Sequence, residues 1–162
     1  MFSVHPHVYG VILHTTHTDA RNVRYALVQG RYSGKWSFPK GHMKENETPY
    51  TCALREMEEE VGCVLNIEPT HCVYAGYGQY YVFPCPSAFP LVPNDMGEII
   101  QARWVTYDEM SHLSLNVDVN RYRKGLRASS VTKHNENNRR VRENDTCQNR
   151  RNVWKEQHRQ LQ

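Results

Sequence analysis

The sequence predicts a mixed fold of the α/β class, α+β in arrangement, on three observations. Apolar, β-branched and aromatic stretches recur at Val8–His14, Val23–Gln29, Cys72–Phe83 and Glu98–Thr106, divided by polar, glycine or proline segments as strands are. The segment from Thr48 to Gly62 carries both a helix start and a helix stop. The 162 residues suffice for one ordinary core, so a single domain is the default.

Taken in order, Val8–His14 and Val23–Gln29 read as two strands of a hairpin or neighbouring pair, joined by the polar loop Thr15–Asn22. Gly34 marks a turn, and Trp36-Ser37-Phe38-Pro39 reads as a short strand whose ladder ends at the proline. Thr48 is a good N-cap and Pro49 suits the first helical position. The helix then runs through the apolar positions Cys52, Ala53, Met57 and Val61 to its stop at Gly62. Cys72–Phe83 holds glycines at 76 and 78 and reads as strands with a bend. Four prolines make Pro84–Met96 a long irregular loop, and Glu98–Thr106 is a further strand followed by a short helical turn at Tyr107–Ser111. Residues 117–128 form a second helix, and they close a first domain, 1–128. Residues 129–162 are a basic tail, sparse in apolar residues, that is disordered or helical against a partner.

Chemistry concentrates between Gly41 and Gly62. Residues three and four apart on a helix share a face, so Glu56, Glu59 and Glu60 converge while Met57 and Val61 turn to the core. Three carboxylates in one patch repel unless cations occupy it, and hard oxygen donors of this kind suit Mg2+ or Mn2+, which also share substrate phosphates. Arg55 lies four residues before Glu59 and eight after Glu47, placed to orient a carboxylate through a charge-assisted fork without competing for metal. Gly41 sits where the loop must turn sharply and bring a backbone carbonyl toward the metal. The bland alternative is an exposed glutamate-rich helix, which would not require the fixed glycines and arginine.

Glycine, five residues, glutamate, seven residues, Arg-Glu, two residues, Glu-Glu, one residue, glycine resembles the Nudix box at seven positions: Gly41, Glu47, Arg55, Glu56, Glu59, Glu60 and Gly62. The apolar position closing the box is Cys63, a small hydrophobe. The resemblance implies a mixed sheet sandwiched between helices, the box as a loop–helix–loop, and metal-dependent cleavage of a phosphoanhydride in a nucleoside-diphosphate-linked substrate. It makes Glu56 and Glu60 direct metal ligands, Glu59 a ligand or base, and Glu47 the partner of Arg55. Trp36-Ser37-Phe38-Pro39-Lys40-Gly41-His42 resembles the approach to the box in messenger-RNA decapping enzymes of eukaryotes and large viruses. It is nearly as similar to dinucleoside-polyphosphate hydrolases. Glu98, six residues before Trp104, stands in a setting similar to that of a glutamate acting as base or further ligand in both groups.

Lys40 is expected to offset charge on the leaving phosphate. Trp36 and Tyr80 are candidates for substrate contact, although the core, supporting the loop from beneath, is the favoured place for Trp36, and buried tyrosines are commoner than stacking ones. The first reading is therefore decapping of RNA, with release of a nucleoside diphosphate and a 5′-monophosphate end. The alternatives are hydrolysis of dinucleoside polyphosphates (Ap4A-type) or of diphosphoinositol polyphosphates. A non-catalytic RNA-binding module would be expected to lose box carboxylates, and all are present.

Residues 1–120 carry 8 Lys/Arg against 13 Asp/Glu, whereas residues 121–162 carry 12 against 4, a net charge of +8 on the tail side. An RNA backbone rewards such a surface through counterion release; a solvated tail is the competing reading. Five cysteines without metal-ligand spacing read as reduced thiols of an intracellular protein, cytoplasmic with the nucleus as an alternative. The nine histidines are scattered and read as solvated or structural. Neither a membrane span nor a secretory signal is expected, and the oligomeric state stays open.

Overall fold

The computed structural model describes residues 5–127 and residue 129. The chain divides into two units, residues 1–123 and 124–162. The fold and site belong to the first unit; the tail expected over 129–162 lies, apart from Ser129, outside the described residues.

The first unit holds a seven-stranded mixed sheet. Its elements are β1 (Val8–Thr15), β2 (Arg24–Gly30), β3 (Trp36–Ser37), β4 (Lys40–Gly41), α1 (Pro49–Val61), β5 (His71–Ala75), β6 (Gly78–Cys85) and β7 (Ile99–Thr106). A second helix, α2, covers residues 117–127. Short 3-10 turns lie at Ala20–Asn22 and Glu109–His112. The central strands β1 and β2 are apolar on both faces, as strands covered on both sides must be. β1 pairs along its whole length with β6 in parallel, β6 pairs with β5 antiparallel, and β2 pairs with β7 antiparallel.

β1 and β2 were expected as a hairpin or neighbouring pair, and they are neighbours at one end alone. His14 pairs with Tyr25, after which β1 takes up β4 through Tyr9–Gly41 and Gly10–Lys40, while β2 takes up β3 through Val28–Ser37 and Gln29–Trp36. The two central strands therefore splay, and the chain from Trp36 to Gly41 fills the gap. Gly10 allows this, because a Cβ there would collide with the carbonyl of Pro39, which instead accepts the Val11 amide at 3.1 Å. The sheet thus delivers the start of the box from its own interior.

α1 lies on one face. Cys52, Ala53, Met57 and Val61 are buried against Val11, Leu13, Ala26, Val28, Phe83 and Ile99. Thr48 caps the helix by accepting from the Thr51 amide, and the Thr51 hydroxyl accepts the Thr48 amide in return. Gly62 ends it with φ 70°. Alternation along β1 turns Ile12 to the opposite face. On that side Phe38 meets Tyr80 and Tyr122 edge-on at ring separations of 5.5 and 5.4 Å, and Val119 of α2 is buried. The expected mixed sheet between two helices is the observed architecture.

No helix among the described residues is long and apolar enough to cross a membrane. Cys52, Cys63, Cys72 and Cys85 are free thiols.

Candidate active site

Arg55 organises the site. Its five N–H donors are all engaged: Nε and Nη2 on the two oxygens of Glu47 (2.9 and 3.0 Å), Nη1 on Glu56 Oε1 (2.7 Å) and Glu59 Oε2 (3.0 Å), and Nη2 also on the carbonyl of His42 (3.0 Å). The fork on Glu47 is the one the spacing predicts. The contacts with Glu56 and Glu59 go further than expected, because Arg55 also bonds two of the anticipated metal ligands. Glu47 also accepts the Lys44 amide at 2.6 Å, which folds the box loop back on itself; Asn46 supports that turn at φ 65°. The Arg55 guanidinium, ahead of Lys44, holds the Glu47 carboxyl below its ordinary value.

Glu60 and Glu56 are buried, 6% and 8% exposed. Burial pushes the Glu60 carboxyl up to about 8; the Lys40 amide, donating to its Oε2 at 3.0 Å, opposes this, and the charges of Glu56 and Glu98 add to it. Glu56 is raised too, first by burial, against the pull of Arg55, with Glu59 and Glu98 contributing. Glu59 is partly exposed and has Lys44 Nζ 3.8 Å from its second oxygen.

Gly41 belongs to β4 and is not among the described glycines with positive φ, which are Gly34, Gly62 and Gly76. The sharp turn expected of it is absent. Glycine is needed for another reason: a Cβ at this position would occupy the space of the Glu56 carboxylate. The main chain of Gly41 is thereby brought directly against that acid, and its carbonyl takes a contact from Cys52 Sγ at 3.6 Å.

The donors fit a hard divalent cation in kind. Glu56, Glu59, Glu60 and the Gly41 carbonyl offer only oxygen, and the two buried acids are raised first by burial, with the charges of neighbouring glutamates adding to it. Among the described residues no three His, Cys, Asp or Glu side chains stand ready to hold an ion as they are. Arg55 Nη1 lies on Oε1 of Glu56 and Oε2 of Glu59.

Glu98 lies in the exposed turn just before β7, one residue outside the strand predicted to contain it, and its charge reaches both Glu56 and Glu60. Lys40 sits in β4 with its backbone fixed by Glu60. The two aromatic candidates for substrate contact stand elsewhere. Trp36 is 4% exposed, bonded through its backbone to Ser114 and Asn116 and covered by Arg103 at 5.5 Å, so it supports the loop from beneath. Tyr80 is fully buried and donates to Asp118 at 2.7 Å. Its ring is committed to Phe38 and its hydroxyl to Asp118, leaving neither for a base.

Sequence reading missed Asp118, Asn94 and Arg31. Asp118 is 2% exposed and joins β6 to α2 through Tyr80. Asn94 donates from its side chain to the Glu58 carbonyl (2.9 Å) and from its amide to that of Glu59 (2.8 Å), tying the long loop to the end of α1. No spacing rule points to these side-chain partners, which lie 36 to 65 residues apart.

The solved structure of a Nudix hydrolase from M. smegmatis superposes with a TM-score of 0.63 at 20% identity, covering 82% of this chain and 89% of that one. A candidate mRNA-decapping protein of Acanthamoeba polyphaga mimivirus is 38% identical over 93 residues, 48% of this chain and 26% of that protein. The m7GpppN-mRNA hydrolase of Saccharomyces cerevisiae is 26% identical over 103 residues, 59% of this chain and 11% of that protein. The chain thus spans well under half the length of these curated relatives. The family model for the NUDIX domain matches residues 5–127, which include the whole Arg55-centred cluster, and the chain belongs to the NUDIX domain family.

Proposed function

We propose that the chain is a Mg2+- or Mn2+-dependent pyrophosphohydrolase whose substrate is the cap of messenger RNA, cleaved to a nucleoside diphosphate and RNA with a 5′-monophosphate end. The observation that carries the chemistry is the carboxylate cluster around Arg55, pressed against the main chain of Gly41. The similarity to a viral candidate decapping protein and to the yeast m7GpppN-mRNA hydrolase supports the choice of substrate, as does the segment from Trp36 to His42.

Glu56, Glu59, Glu60 and the Gly41 carbonyl would hold the ion, which when bound polarises a phosphoryl oxygen and acidifies water. Glu98 accepts the proton of the water that attacks phosphorus as the anhydride P–O bond breaks. Lys40 sets a fixed positive charge beside the departing phosphate oxygen. Arg55 keeps the acids oriented while its own charge is balanced by Glu47, a carboxylate that is not among the ion's donors. The basic tail adds contacts to the RNA backbone that a free nucleotide would not use.

Incubating the protein in parallel with cap-labelled RNA, diadenosine tetraphosphate and a diphosphoinositol polyphosphate tests the substrate. Capped RNA is expected to release labelled nucleoside diphosphate with the highest kcat/KM. Faster turnover of either small molecule would replace the cap reading with that one while leaving the reaction class intact.

A further inference from the structure

The turn 94–98 is fastened at both ends. On one side Asn94 and Asp95 donate their amides to the Glu59 carbonyl at 2.8 and 2.9 Å, and the Asp95 carboxylate accepts the Gly97 amide at 3.0 Å. On the other side a single residue makes three bonds. Arg31 donates from Nη2 and Nε to the Met96 carbonyl at 2.7 and 3.2 Å, and from its backbone amide to the Glu98 carbonyl at 2.8 Å. Arg31 itself follows Gly30, the last residue of β2, whose register with β7 shifts between Gln29 and Gly30 so that Gly30 faces Ile99. The arginine is thus anchored to the rigid centre of the sheet and reaches 65 residues along the chain. The turn carries no buried side chain, so apolar packing does not fix it; hydrogen bonds do.

We propose that Arg31 is a positioning residue for the hydrolytic reaction, acting through Glu98 by clamping the 94–98 turn, which is bonded to the end of α1, so that Glu98 keeps a fixed place beside the box helix. The proposal rests on the role given to Glu98 above. Glu98 is the last residue of this turn, and its carbonyl is held by the Arg31 amide while the turn's first residues are bonded to the end of α1. A turn of five residues without a core has many alternatives of similar energy. A planar guanidinium bonded twice to one carbonyl removes most of them at a surface position where stability would not demand an arginine. Small misplacement of a proton acceptor costs rate rather than affinity, because the interaction is made in the transition state.

The test measures kcat and KM on one hydrolysable substrate, together with thermal stability, for Arg31→Met, Arg31→Lys, Glu98→Gln and the Arg31→Met/Glu98→Gln double variant. Arg31→Met is expected to lower kcat by about 10- to 100-fold with KM nearly constant and Tm little changed. Arg31→Lys, which retains a donor for the Met96 carbonyl, should recover part of that loss. In the Glu98→Gln background, Arg31→Met should have almost no further effect. A fall of equal size in both backgrounds, or no fall in either, overturns the clamp while Glu98→Gln still reports whether Glu98 is needed. Wild-type turnover by Glu98→Gln overturns the role of Glu98 and the proposal with it.

Discussion

Glu60 is the acid whose protonation departs furthest from that of a free glutamate among the box carboxylates, and its consequences can be measured without a substrate. Its carboxyl titrates near 8 in the fold against 4.5 for the ordinary group, burial being the main cause. Between those values the folded, metal-free protein binds a proton that the unfolded chain has released. Stability present below about pH 4.5 is therefore lost as pH rises through about 8. In chelator, Tm should decline over that window, and Glu60→Gln should flatten the decline; identical pH profiles for the two proteins would refute the assignment. The same variant tests chemistry. Glu59→Gln or Glu60→Gln is expected to lower turnover by at least about 100-fold with the fold retained, and near-normal rates in both would remove this helix from the active centre. The box residues were legible one by one because their meaning lies in local spacing. Trp36 and Tyr80 were not, since an aromatic residue in a strand reads alike whether it faces a ligand or the core, and the outcome depends on Phe38, Asp118 and Ser114, which the fold brings to them.

At the scale of the element, α1 is the part the sequence specified most completely. Thr48, Pro49 and Gly62 mark its ends, and the expected apolar positions Cys52, Ala53, Met57 and Val61 are buried, together with Glu56 and Glu60. What the pattern did not reveal is how its C-terminus is used: the carbonyls of Glu58, Glu59 and Val61 are taken by Gly62, Asn94, Asp95 and Val92, so the loop before β7 completes the helix. Gly62 therefore carries two demands, a φ of 70° and close approach of the Val92 carbonyl. Gly34 has the first demand alone, at φ 67° with nothing within 4 Å of a Cβ. Gly34→Ala should cost about 1–2 kcal/mol for the left-handed backbone, and Gly62→Ala clearly more, as read by denaturant unfolding. Equal losses would mean that the loop yields without resistance. The splaying of β1 from β2 was equally hidden, because it depends on Gly10 meeting the Pro39 carbonyl across the sheet.

For the whole molecule, the acid cluster and the basic tail make separable claims. Activity should vanish in chelator and return with Mg2+ or Mn2+, because carboxylates tied to Arg55 have no electrophile to offer; full activity in excess chelator would end the metal assignment. The tail matters for substrate. Residues 129–162 carry eight Lys/Arg against four Asp/Glu, while residues 1–128 carry twelve against thirteen, so the net positive charge that would grip RNA without regard to sequence is concentrated in the tail. Each phosphate contact to a single strand steepens the dependence of log affinity on log salt by about 0.7. Deleting residues 129–162 should therefore weaken capped-RNA binding and flatten that slope, while cleavage of a free cap dinucleotide, too short to meet the tail, changes little. The decisive comparison is the slope for full-length and truncated protein on the same RNA. Equal slopes would mean that the tail makes no phosphate contacts, and would move the preferred substrate from RNA toward the small polyphosphates.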